Sequence, residues 1–219
     1  MPGVTEPISS RRRKRATRHR MTAAERRDQL IDIARGLFAE RGFDGTSVEE
    51  ISSRAEVSKP VVYEHFGGKE GLYAVVIDRE VRHLLDMMSE ALTGGHPREL
   101  LEQAALALLD YIDSSSDGFR ILVRDSPVGS ATGSFVSIIS DTARRVEHIL
   151  GDEFKQRGFD ATYAPMYAQM LVGMVGTTGQ WRLDAREPEK SVVAAHLCNL
   201  AWNGLGGLEQ EPTLVTRPT

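Results

Sequence analysis

Apolar residues recur at helical spacing along most of this chain. Leu30, Ile33, Ala34, Leu37 and Phe38 share one face of a predicted helix that runs from Thr22 to about Arg41. Thr22 and Glu25 are spaced as a capping box at its start, and Gly42 supplies the stop. Thr46 and Ser47 lie three residues before Glu49 and Glu50, which predicts two overlapping capping boxes on a short helix carrying Val48, Ile51 and Ala55 inward. Ser58 opens a two-turn helix to about Phe66, with Pro60 in the first turn, where a missing amide hydrogen costs nothing. Gly67-Gly68 ends it. A long helix follows from Lys69 to about Thr93, with Leu72, Val76, Ile77, Val81, Leu84, Leu85 and Met88 at helical spacing.

Beyond Gly94-Gly95 the spacing predicts helices over 97–114, 117–124, 133–156, 160–184 and 188–206. The period-two run Phe119, Ile121, Val123 is too short to anchor a sheet, so the predicted class is all-α. Residues 161–181 carry no charged side chain, yet Pro165, Gln169, Thr177, Thr178 and Gln180 break up the stretch and its continuous apolar part is only Met170 to Val175. That is too poor for a membrane span. A charge-free helix in a soluble protein is expected to be buried on nearly all sides, here between a pocket and a subunit interface. Gly173, Gly176 and Gly179 would let a second backbone approach, predicting a homodimer through helices near 160–182 and 188–206.

Composition narrows the function. Hydrophobic residues make up 41% and charged residues 26%, enough apolar material for a sizeable core. The single cysteine, Cys198, excludes a disulfide framework, and no secretory pattern opens the chain, so a cytoplasmic protein is expected. Charge is unevenly placed: +6 over residues 1–20, −2 over 21–69 and −8 over 70–219. Arg11, Arg12, Arg13, Lys14, Arg15, Arg18 and Arg20 carry the basic end, which reads as a disordered arm drawn to a polyanion or as a solvated tail. The six histidines make no metal-ligand spacing and no glycine-rich phosphate loop is present. No catalytic residue, metal or cofactor is predicted, and the chain does not read as an enzyme. Arg144, Arg145 and His148 fit either an anion site or a solvated helix face.

The two short helices joined by Ala55-Glu56-Val57-Ser58 match a helix-turn-helix, whose second helix enters the major groove of DNA. Val62 and Phe66 are four apart and turn inward, which leaves Lys59, Pro60, Val61, Tyr63, Glu64 and His65 on the remaining arc. Tyr63 and His65 offer donors for phosphate oxygens, and Lys69 adds a charge at a helix N-terminus.

The spaced pattern Ala34, Leu37, Phe38, Gly42, Phe43, Thr46, Ser47, Val48, Ile51, Ala55, Val57, Ser58, Tyr63, His65, Phe66, Lys69 and Leu72 resembles the DNA-binding domain of the TetR family of bacterial transcriptional regulators. The resemblance implies a three-helix DNA-binding domain over 21–68 and a helical ligand-binding and dimerisation domain over 69–207, with a basic arm at 1–20 and a flexible tail at 208–219. It implies a homodimeric repressor that leaves a palindromic operator when a small apolar or amphipathic effector binds. By it, Lys59, Pro60, Val61 and Glu64 approach bases, Thr46, Tyr63, His65, Lys69 and the arm hold the DNA backbone, and Ser58 belongs to the same DNA-contacting set.

One departure is Glu56, where the family usually has glycine; a left-handed residue there costs about 1–2 kcal/mol. Tyr163, Met166, Tyr167, Met170 and Met174 form a stripe at helical spacing that suits either a core or a ligand cavity, and Gln169 could orient a polar end. Leu85, Met88, Phe119 and Leu122 complete the expected ligand set. The segment Leu171-Val172-Gly173-Met174, with Trp181, Leu183-Asp184-Ala185 and Ala201-Trp202, is similar to actinobacterial regulators of lipid metabolism, which implies a lipid-like effector. The rival readings are control by a protein partner, and a helical-bundle enzyme or ligand carrier.

Overall fold

The computed structural model describes residues 21–92, 94–124 and 135–214, the side chains of 135–139 excepted. The basic run from Arg11 to Arg20 lies outside the described residues, as do the last five positions of the tail. Among the described residues every regular element is helical: α1 (Ala23–Arg41), α2 (Val48–Arg54), α3 (Lys59–Phe66), α4 (Lys69–Ala91), α5 (Pro97–Ser114), α6 (Ser116–Val123), α7 (Phe135–Arg157), a single 3-10 turn (Ala161–Tyr163), α8 (Ala164–Arg182) and α9 (Lys190–Gly206).

The caps explain where the first helices begin. The Glu25 amide donates to Thr22 Oγ1 at 3.2 Å, while the Thr22 amide donates to Glu25 Oε2 at 2.7 Å, closing the capping box. Ser47 alone caps α2, accepting from the Glu50 amide at 3.2 Å. Thr46 is not a second cap. It is 2% exposed, and its hydroxyl donates to the carbonyls of Gly42 (2.8 Å) and Leu37 (3.3 Å), closing the loop after α1 from inside. Glu56 has φ 53°, so the turn takes the left-handed form even without glycine and stores the strain. Gly67, at φ 74°, ends α3 where a side chain would be strained.

One core joins the helix-turn-helix to the rest. Leu30, Leu37 and Phe38 of α1, Ile51 of α2, Val62 of α3 and Leu72 and Val76 of α4 are nearly solvent-free, and the cluster continues into Tyr111, Phe119, Ile121 and Leu122. Phe119, Ile121 and Val123 therefore lie on a helix wedged between α1 and α4, not on a strand. Two polar ties reinforce this junction. Arg124 Nη1 donates to the Phe38 carbonyl at 3.3 Å, and Glu80, 3% exposed, accepts from Tyr111 Oη (2.7 Å) and Ser115 Oγ (3.1 Å) and pairs with Arg35 Nη1 at 3.5 Å. Burial, and next the Glu80 charge, push the Tyr111 phenol pKa up, so it stays a donor.

Within the single chain α8 is buried along one side. Ala164, Ala168, Gly176 and Gly179 face inward, while Met166, Met170 and Trp181 are 45–57% exposed along the opposite face. The glycine reading is corrected. A Cβ on Gly179 would lie 2.9 Å from Ile112 of the same chain, so Gly179 admits a neighbouring helix of its own subunit, and Gly176 is buried beside an apolar cavity. Gly173 has open space beside it. No described helix is long and apolar enough to cross a membrane.

Candidate DNA-binding surface and effector cavity

α3 is two turns long and is held by its inner edge. Val62 is fully buried, Phe66 is half-buried beneath the Arg27 guanidinium at 5.2 Å, and α2 packs on one side. The helix thereby turns Lys59, Pro60, Tyr63 and Glu64 outward together with Ser58; Tyr63 is 55% exposed, and Val61 and His65 are half-buried at the margins. Lys69 begins α4 at the same edge. Its ammonium donates to the Phe43 carbonyl at 3.0 Å and sits 4.1 Å from the Phe43 ring centroid, which fixes the α1–α2 loop to the start of α4. Thr46, expected beside these residues, spends its hydroxyl inside the loop and leaves the outward set.

Three acids of this region are paired with bases of the same region. Glu49 bonds the Lys59 ammonium, which holds its carboxyl below the usual range; Glu50 pairs with Arg41 at 2.7 Å and Glu40 with Arg54 at 3.6 Å. Lys59 thus starts the outward helix already engaged by a carboxylate of α2.

A second feature lies at the far end of α4. Leu84, Met88 and Leu92 wall an apolar cavity of about 120 Å³. Leu100, Leu101, Ala104 and Leu108 of α5 face them, with Thr142, Val146, Ile149 and Leu150 of α7, Leu171, Val172 and Val175 of α8 and Trp202 and Leu205 of α9 closing the sides. Of the ligand residues expected from sequence, Met88 lines this cavity, and Leu85 joins it in the outer space beside it.

The others lie elsewhere. Phe119 and Leu122 are sealed in the junction core with α1. Tyr163 of the 3-10 turn and Met166, Gln169 and Met170 of α8 face outward; Tyr167 packs edge-on against Phe154 at 5.4 Å, and Met174 packs against the cluster formed by α5 and α9. The residues the sequence reading missed are the cavity faces of α5 and α7. Their spacing, 100/101/104/108 and 142/146/149/150, carries a helical stripe, but an apolar stripe has the same form whether it meets a core or a void. Among the described residues no group of three or more His, Cys, Asp or Glu side chains could hold a metal ion.

A short polar-faced helix set on a turn, followed by a long helix that leads into an apolar cavity, defines a helix-turn-helix DNA-binding regulator with a further helical body. Residues 30–76 match the family model for bacterial regulatory proteins of the tetR family. The chain is 30% identical over 206 residues to the HTH-type transcriptional activator FasR of Mycolicibacterium smegmatis, spanning 93% of this chain and 91% of that one. It is 33% identical over 115 residues to the HTH-type transcriptional repressor Rv3405c of Mycobacterium tuberculosis, covering 49% of this chain and 56% of that one. In structure it is similar to a TetR-like transcriptional regulator from Rhodococcus sp. RHA1, with TM-score 0.73 and 30% identity over 86% of this chain and all of that one. The chain belongs to the TetR family and is a DNA-binding transcriptional regulator.

Proposed function

We propose that this chain acts in the cytoplasm as a homodimer that binds a palindromic operator through α3 and releases it when a small amphipathic effector fills the cavity. Residues 21–68 form the DNA-binding domain in this reading and 69–207 the effector and dimer domain. One observation carries it: α4 is a single helix that starts beside α3 at Lys69 and walls the cavity with Leu84 and Met88. A rigid element touching both places can bias both, provided the effector prefers the DNA-free arrangement. Lys59, Pro60, Val61 and Glu64 would meet base edges, with Ser58, Tyr63, His65 and Lys69 along the phosphates. The outward face of α8, with Met166, Met170 and Trp181, and exposed Leu200 of α9 would be covered by the second subunit, since large apolar side chains left exposed on neighbouring helices suit an interface.

The relatives named above include both an activator and a repressor. Operator release is therefore the direct readout, and its effect on transcription follows from where the operator lies. A gel-shift with DNA flanking the chain's own gene, repeated with cell-derived small-molecule extracts, tests the proposal. Specific binding that an extract abolishes is expected; specific binding that only a protein fraction releases would favour control by a partner protein. Light scattering should give a dimer, and Met170→Glu should yield monomers that lose operator binding. A wild-type monomer that still binds tightly would overturn the dimer.

A further inference from the structure

We infer that the effector carries an anionic head group, held at the cavity mouth by Arg144 and Arg145 of α7 with His148 one turn on. The inference rests on the cavity being the effector site, as proposed above. Among the described side chains lining the inner cavity, only Thr142 and Trp202 bring an O–H or N–H group. A polar head buried there would lose its hydration without adequate partners to replace it. The head must therefore sit outside it.

The cavity opens through Met88, Leu92, Thr142 and Ile149, which line both it and an outer space of about 640 Å³. The lining changes there. Arg144, Arg145 and His148 lie at positions i, i+1 and i+4 of α7, opposite Ser89 of α4, and Asp141 is the one carboxylate among the described residues of that lining. Asp141 is already paired with Arg144. Arg145 Nη1 donates to Ser89 Oγ at 3.1 Å across the mouth, and a guanidinium with five donors keeps most of them after that bond. Two guanidiniums against one carboxylate leave the mouth positive. A cationic head is repelled, and a neutral hydroxyl gains little that water did not give it. A carboxylate or a phosphate gains charge-assisted, paired hydrogen bonds.

The same contact links recognition to control. Arg145 bridges α7 to α4, so a head group that engages its remaining donors docks on the tie between the two helices.

Calorimetric titration of the full-length protein with dodecanoate, dodecyl phosphate and dodecanol, below their micellar concentrations, tests the assignment. At least one anionic probe should bind about tenfold or more tightly than the alcohol. The stronger of the two anions identifies carboxylate or phosphate as the head. In Arg144→Gln/Arg145→Gln, matched to wild type in thermal melting, the anions should fall to the alcohol's affinity while the alcohol's is unchanged. Equal binding of alcohol and anions by wild type, or undiminished anion binding by the double variant, overturns the head-group site and leaves the cavity as an apolar effector site. Failure of all three probes to bind overturns both.

Discussion

Two residues around the helix-turn-helix show how a local choice is shared between fold and function. Thr46 donates its hydroxyl to the Leu37 and Gly42 carbonyls from a buried position. Thr46→Val keeps the shape and removes the donor, so a loss of about 1–3 kcal/mol is expected in chemical denaturation, with operator preference intact at temperatures where the variant is folded. A shift in preferred sequence would return Thr46 to the DNA-facing set. The sequence could not separate these roles, because a threonine before a helix serves equally as a cap or as an inward donor. Glu56 is the converse: its departure from glycine was visible in the sequence, but only the backbone shows that the left-handed turn persists at φ 53°. Glu56→Gly should relieve strain and raise the melting temperature by about 1–4 °C, against the entropy glycine adds to the unfolded chain. Removing an acid beside α3 should also tighten DNA binding at low salt. A lower melting temperature would show that Glu56 side-chain interactions outweigh the strain.

Among the elements, α6 and α8 mark the extremes of what the sequence showed. Helix limits were largely legible, since caps and glycines punctuate them: the 97–114 prediction coincides with α5, and Gly67 ends α3 as expected. The facing of α8 was not legible. With no charge on any side, the helix offers no polar face to mark solvent, and its direction is decided by which flanks α5 and α7 cover. α6 is placed by chemistry that periodicity does not carry. The Glu80 carboxylate lies so close to Gly118 that a Cβ there would sit 1.9 Å from Oε2. Gly118→Ala should expel the carboxylate from its bonds to Tyr111 and Ser115, costing about 1–3 kcal/mol by urea unfolding. Tyr111→Phe, which leaves a buried carboxylate one donor short, should cost a comparable amount. A neutral outcome for Gly118→Ala would mean that α6 shifts freely against α4.

For the whole molecule the distribution of charge governs how it meets DNA. Residues 21–69 sum to −2 and residues 1–20 to +6, so long-range attraction to phosphates is expected to come mainly from the basic N-terminal run. Each arginine that neutralises a phosphate contributes about −0.9 to the slope of log affinity against log salt. Deleting residues 1–20 should flatten that slope by several units per dimer and leave operator preference in place, as measured by gel-shift across a salt series. An unchanged slope would identify the run as a solvated tail, and a lost preference would show that it reads bases. The tie between Arg35 of α1 and Glu80 of α4, at 3.5 Å, is a long one, part-open to solvent, and stands between the cavity and the DNA-facing helices. Under the proposed release mechanism, a tie that is stronger in one of the two shapes enters the balance between them before any effector is present. Tightening or loosening it by about 1.4 kcal/mol would move the half-maximal effector dose by up to tenfold while leaving both the molecule sensed and the operator read as they were. Detection threshold and recognition are then separately adjustable, which would make this joint the place to tune the chain as a sensor.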